Sequence, residues 1–318
     1  MSSFAFVFPG QGSQSVGMGR ELAASSPAAA TVWAAADAAL GESISRLAWE
    51  GPADHLDRTE QAQPALLAAS IAILEGMRDR WSAAGLEAPA PAFAAGHSMG
   101  QYSALVATGV ISLEDGVRLV RRRGSLMQAS ARDGAMAALI GLDDAKLPEL
   151  LAAAAERGTF VVANRNAPGQ VVVSGERVAI EAGAEIAREL GAKRAIVLPV
   201  SVAAHSPLMA EAADGMRETL ADVAFRDPST TLLANADARP ITTADGARLE
   251  LVEHLTAGVD WVAAVQRMTD AGVTTFVEVG PGKVLTGLIK RIAPEAEIVP
   301  ADDPAAHDRL LDLAAVTA

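Results

Sequence analysis

The run Gly96-His97-Ser98-Met99-Gly100 limits the fold of this chain more than any other feature, because it follows a short Ala-rich stretch and precedes a helical segment that ends at Gly109. A strand that turns into a helix within five residues presses backbone against backbone, and glycine is needed wherever a side chain would collide. The G-x-S-x-G spacing is that of a nucleophile elbow, which holds a serine hydroxyl out of a sheet. A serine placed there also sits at a helix N-terminus, where backbone N–H groups stabilise a developing oxyanion. Taken alone, the same five residues also suit a plain helix N-cap in a chain rich in small residues.

The flanking segments read as alternating strands and helices, an α/β chain. Phe4 to Phe8 is expected as a buried strand running into the turn Pro9-Gly10-Gln11-Gly12-Ser13-Gln14. Ser26-Pro27 and Pro64 are expected to open helices, Gly85 to close the second of them, and Ser112 with Asp115 to cap a helix ending near Met127. From residue 134 the order becomes strand, helix, strand, strand, helix, strand, over Gly134–Leu142, Asp143–Glu156, Thr159–Ala163, Gln170–Ser174, Glu176–Leu190 and Arg194–Leu198. That βαββαβ order predicts a ferredoxin-like small subdomain inserted over residues 129–199. Residues 1–128 and 200–318 then form the large subdomain.

A serine nucleophile needs a base, and the chain offers His55, His97, His205, His254 and His307. His205 follows a strand candidate and precedes Ser206-Pro207, which puts it on a strand-end loop where reactive groups gather. The alternative for it is a loop histidine making one structural hydrogen bond. His97 is adjacent to Ser98 and is expected to point elsewhere. An ordinary α/β-hydrolase adds an acid between serine and histidine; Asp143 and Asp144 come nearest, yet they read better as a helix N-cap. A backbone carbonyl is the other way to orient an imidazole.

Composition removes several alternatives. The chain has no cysteine, so thiolate nucleophiles, disulfides and thiolate metal sites are excluded, and its charge of −13 opposes broad binding to nucleic acid or an anionic membrane. No apolar run approaches a membrane span and the N-terminus has no basic start, so a cytoplasmic protein is expected. Arg121-Arg122-Arg123, Lys193-Arg194 and Lys290-Arg291 are local basic runs, each readable as a solvated helix or strand end.

Six segments in order carry a more specific likeness: FVFPGQGSQ at 6–14, GHSMGQYSALVATG at 96–109, the RRG ending at Gly124, NRNAPGQVVVSG at 164–175, VSVAAHSPLM at 200–209 and EVGPGKVLTGLIKR at 278–291. Together they resemble the malonyl-CoA:acyl-carrier-protein transacylase family across nearly the whole chain. The resemblance implies an α/β-hydrolase-like large subdomain with the small one inserted, and a site in the cleft between them. It implies Ser98 as acyl acceptor, His205 as its base, and the backbone N–H groups of Gln11 and Met99 as the oxyanion hole. Arg123 then grips the malonyl carboxylate, beside Gln11, with a fork of two parallel hydrogen bonds. His254 stands where the family commonly has Gln, in a loop whose main-chain carbonyl orients the histidine, and Ala204 stands where several malonyl-selective acyltransferases have Phe. No metal or organic cofactor is implied; the partners implied are malonyl-CoA and acyl carrier protein. A serine esterase or thioesterase, a polyketide-pathway acyltransferase of the same family, and a carrier-docking module without catalysis are the competing readings.

Overall fold

The short apolar runs pair into two sheets in the computed structural model, which describes residues 3–130, 133–200, 202–303 and 306–317. Residues 131 and 132 of the expected insertion, and position 201 in the segment leading to His205, lie outside the described residues. In chain order the strands are β1 (Ser3–Phe8), β2 (Phe93–Gly96), β3 (Gly134–Ile140), β4 (Phe160–Ala167), β5 (Gln170–Glu176) and β6 (Arg194–Val197). They continue with β7 (Thr231–Leu233), β8 (Pro240–Ile241), β9 (Val259–Asp260), β10 (Val273–Glu278) and β11 (Glu297–Pro300).

The first sheet has the order β11-β10-β1-β2-β7-β8. It is parallel from β11 through β7, with β8 antiparallel at its edge. A parallel strand in the middle of such a sheet is covered on both faces, and β1 shows how its sequence permits this. Phe4, Phe6 and Phe8 point into one apolar cluster, whereas the small Ala5 and Val7 point into another, closed by Trp261, Val265 and Leu285. The helix Thr59–Ala83 crosses the first cluster as its longest element and is buried through most of its length. It starts at Thr59, so Pro64 lies inside it and does not open it. A proline this close to the N-terminus removes one main-chain hydrogen bond, toward Glu60, and packing on both sides of the helix compensates.

The second sheet has the order β6-β3-β5-β4-β9 and is antiparallel apart from the short β4–β9 pairing. Alternation along β3 divides its two faces. Ala135, Ala137 and Leu139 pack under the helices Leu147–Ala155 and Arg177–Glu189, while Met136 faces the other way, into the main core. Asp143 caps a short 3-10 turn, Asp144–Lys146, through the N–H of Ala145, which is the structural role expected of it. β9 comes from beyond residue 199 and gives this sheet an edge strand that the βαββαβ reading lacked. Two residues long, it carries too little pattern to be seen in sequence.

Where β2 runs into the helix Gly100–Ala107 the backbone is packed to its limit. A Cβ on Gly96 would lie 2.0 Å from the carbonyl carbon of Gly100, and one on Gly100 would lie 2.2 Å from the Phe8 carbonyl oxygen at the end of β1. These close approaches, not conformational freedom, are why glycine stands at both ends of the motif. Among the described residues no helix is long and apolar enough to cross a membrane.

Candidate active site

Ser98 occupies the turn between β2 and the helix Gly100–Ala107 with φ of 52°, a left-handed conformation that a non-glycine residue holds only when its surroundings impose it. Its own N–H donates to Asn235 Oδ1 at 2.8 Å. The hydroxyl is thereby turned out over a cavity of about 550 Å³ lying between the two sheets. Gln11, Met99, Arg123 and His205 border this cavity, and Met127, Met136, Val172 and Leu198 form an apolar wall.

His205 also has a positive φ, of 60°, just ahead of the turn that Ser206 caps through the N–H of Leu208. Its Nε2 lies 2.8 Å from Ser98 Oγ, and its Nδ1 lies 2.6 Å from the carbonyl oxygen of His254 and 3.1 Å from that of Ala257. Carbonyls only accept, so the ring proton sits on Nδ1 and Nε2 is left to accept from the serine hydroxyl. Burial pushes the imidazole down to about 3, with the Arg123 charge acting in the same direction, so the ring is neutral across the neutral pH range and its Nε2 lone pair is unprotonated. The unfolded chain takes up this proton near the ordinary value of 6.5 and the folded chain only near 3, so between those values acid favours unfolding.

The two carbonyls that hold His205 belong to the end of the helix Ala244–Thr256 and the residue after it. His254 therefore lies in a last helical turn and not in a loop as expected. The last carbonyls of a helix lack internal partners, and the imidazole N–H supplies one. The same helix end carries the negative pole of the helix dipole, which steadies an imidazolium formed during proton transfer, by up to about 2 kcal/mol in partly buried settings. A helix terminus thus stands here where a serine triad places a buried carboxylate. The His254 side chain is fully buried with no hydrogen-bond partner on either ring nitrogen, its Nδ1 standing 3.7 Å from Glu250 Oε1, and burial holds its pKa well below the usual value.

Arg123 lies on the helix Leu113–Ser130, whose buried face also includes Gly116, Val120, Gly124 and Met127. The three arginines in the run diverge. Arg121 bonds Glu42 and Gln61 and Arg122 is exposed, while Arg123 is only 1% exposed and points into the cavity. Its Nη2 lies 3.3 Å from Ser98 Oγ, its guanidinium carbon stands 5.9 Å from the Tyr102 ring centre, and its Nε has no partner. Among the described residues no carboxylate lies within ion-pair distance of it. Gly124 lets this helix come close, since a Cβ there would lie 2.7 Å from Glu60 Cα.

Gln11 sits at the exposed rim with Nε2 3.4 Å from Thr59 Oγ1, and Met99 is buried beneath Ser98 at the start of its helix. His97 borders the same cavity but its ring bonds neither Ser98 nor His205. Its Nε2 meets Asn166 Oδ1 at 2.9 Å, and its ring lies edge-on to Trp261. Sequence reasoning missed Asn235 and Glu250. Glu250 Oε1 accepts from Asn235 N at 2.7 Å and from Asn235 Nδ2 at 3.3 Å. Its side chain is 1% exposed, and burial raises its carboxyl to about 7. An Asn just beyond a strand was a visible signal for the first, but nothing local marked the second.

A hydroxyl bonded to a neutral, oriented imidazole at a strand-to-helix elbow, with a buried guanidinium beside it, is an arrangement suited to serine-type acyl transfer. The sequence profile of the acyl transferase domain family matches residues 5–310. The chain is 45% identical over 315 residues to the malonyl CoA-acyl carrier protein transacylase of Escherichia coli K12, covering 98% of this chain and all of that one. It is 41% identical to the acyl-carrier-protein S-malonyltransferase structure from Bartonella henselae, with a TM-score of 0.94 and coverage of 98% and 99%. A structure of a malonyl-transacylase bound to a type II polyketide acyl-carrier protein matches with a TM-score of 0.92 at 40% identity, covering 98% of this chain and 99% of that one. The chain belongs to the malonyl-CoA:acyl-carrier-protein transacylase family.

Proposed function

We propose that this chain moves a malonyl group from malonyl-CoA to the phosphopantetheine thiol of acyl carrier protein, by way of an ester on Ser98. His205 Nε2 takes the hydroxyl proton as Oγ attacks the thioester carbonyl, and the N–H groups of Met99 and Gln11 receive the oxyanion. The Ser98 N–H, already donated to Asn235, is not free for that task. The tetrahedral adduct collapses, the C–S bond breaks, and His205 returns the proton to the departing CoA sulfur. The carrier thiol then gives its proton to His205, attacks the ester carbonyl, and Ser98 leaves with that proton. The observation that carries this reading is the buried, carboxylate-free guanidinium of Arg123 beside Ser98 Oγ. A carboxylate entering the cavity finds there a partner able to replace its hydration.

The similarity to named malonyl transacylases supports the substrate pair, and fatty-acid elongation is the pathway we assign, with the cytoplasm as its location. We read the first sheet and its helices as the α/β-hydrolase-like large subdomain and residues 129–199 as the ferredoxin-like insertion. The test is partition: with malonyl-CoA and carrier protein supplied together, malonyl-carrier should form much faster than free malonate. Malonate release at a matching rate would make the chain a thioesterase.

Carrier proteins of this pathway are typically acidic, so a chain of charge −13 has to meet its partner through a local basic patch. Lys193, Arg194 and Lys290 are exposed. Arg291 is also exposed, but its guanidinium bonds Gln170 and the Pro168 carbonyl, fastening the helix Val284–Ile292 to the β4–β5 turn. Alanine at Lys193, Arg194 or Lys290 is expected to raise KM for the carrier, most at low salt, with KM for malonyl-CoA unchanged. An insensitive carrier KM across the set removes the patch from consideration.

A further inference from the structure

Glu250 is a buried carboxylate that the transfer steps do not use, and its contacts lead directly to the nucleophile. Asn235, two residues beyond β7, is engaged at every polar atom. Its carbonyl accepts from Asp260 N at 2.7 Å, its N–H and Nδ2 both donate to Glu250 Oε1, and its Oδ1 accepts from the Ser98 N–H. The direction of this amide matters. With Oδ1 toward Ser98 it receives a hydrogen bond, whereas the flipped amide would oppose one N–H donor to another. The acceptor that keeps Nδ2 turned away from Ser98 is Glu250 Oε1.

Glu250 and His254 are four residues apart on the helix Ala244–Thr256, one turn along a single face. From this turn one path runs through Asn235 to the Ser98 backbone, and the other runs from the His254 carbonyl to His205 Nδ1. We propose that Glu250 is a positioning residue for the Ser98–His205 pair: it fixes the Asn235 amide and so references the nucleophile to the helical turn that also holds the base. Both catalytic candidates have positive φ, a conformation that surrounding contacts must maintain. On the opposite side Arg239 Nη2, itself held by Glu253 Oε2 at 2.6 Å, stands 3.7 Å from Glu250 Oε2, at ion-pair distance without a hydrogen bond. Arg123 approaches the cavity from a different helix, so the grip on an acyl carboxylate is independent of these contacts.

The inference rests on the malonyl-transfer reading, and the two fail separately. The experiment is single-turnover acylation by malonyl-CoA, followed by intact mass, on wild type, Glu250→Ala, Glu250→Gln and Glu250→Met. Ångström-scale misplacement of reacting groups costs about a hundredfold in rate. Glu250→Ala is therefore expected to acylate about 10- to 100-fold more slowly with KM for malonyl-CoA within about twofold. Gln keeps a carbonyl oxygen at the Oε1 position and should recover most of the rate. Met fills the same space without that oxygen and should be as slow as Ala, which decides the matter should the Ala variant fail to fold. Wild-type rates in a folded Ala or Met variant, or a Gln variant as slow as Met, overturn the role of Glu250. A wild type that takes up no malonyl group overturns the reading beneath it.

Discussion

Arg123→Ala is expected to lower kcat/KM for malonyl-CoA by roughly 30- to several-thousand-fold, the equivalent of the 2–5 kcal/mol lost when one partner of a buried charge pair is truncated. The size follows from burial. The guanidinium is 1% exposed and, among the described residues, has no carboxylate as a partner, so a malonyl carboxylate entering the cavity must exchange its water for this cation. Acetyl-CoA brings no charge and should lose far less, which shifts the selectivity and not merely the overall rate. Lysine in the same place keeps the charge but not the fork, so only part of the rate returns. Paired kcat/KM values for the two thioesters on wild type and Arg123→Ala provide the check. An unchanged malonyl preference would remove Arg123 as the anchor.

Ser98→Ala is expected to abolish the acyl-enzyme and leave the fold intact. The elbow is held by contacts that do not involve the hydroxyl: the close approaches at Gly96 and Gly100, and the hydrogen bond from the Ser98 N–H to Asn235. The Oγ partners are His205 and Arg123, both side chains of the site. A circular dichroism melt close to that of wild type, with no malonyl adduct by mass, is the expected pair of results. An adduct of full yield on the variant places the nucleophile elsewhere. His205→Ala should slow acylation and transfer alike, by about 10²- to 10⁴-fold, since one imidazole serves both steps.

Much of this arrangement was legible in the sequence because it is set locally. Glycine spacing around Ser98 marks a turn that few other residues can make, and Ser26 and Ser112 cap their helices through the expected N–H groups. Arg123 was less plain, since three arginines in succession look like a solvated face. Its phase was nonetheless available: with Gly116, Val120 and Met127 it falls at helical spacing on the apolar side of the helix Leu113–Ser130. The Asn235–Glu250 connection was not legible. Asn235 meets Ser98 across 137 residues of sequence, and a Glu on an otherwise ordinary helix carries no local sign that it will be buried. Pro64 misled for a related reason, since proline at a helix start is common enough to mask five helical residues before it. His254 was expected in a loop, whereas packing extends the helix to Thr256 and makes its last carbonyls the support for His205.

The most direct test of the account is intact-mass measurement of the wild-type chain after brief exposure to malonyl-CoA, followed by peptide mapping and a chase with carrier protein. The account predicts a gain of one malonyl group, carried on the peptide containing Ser98, and its loss to the carrier thiol when carrier protein is added. A malonyl group mapped to any other residue, no adduct at all, or an adduct that water removes as fast as the carrier does would contradict it.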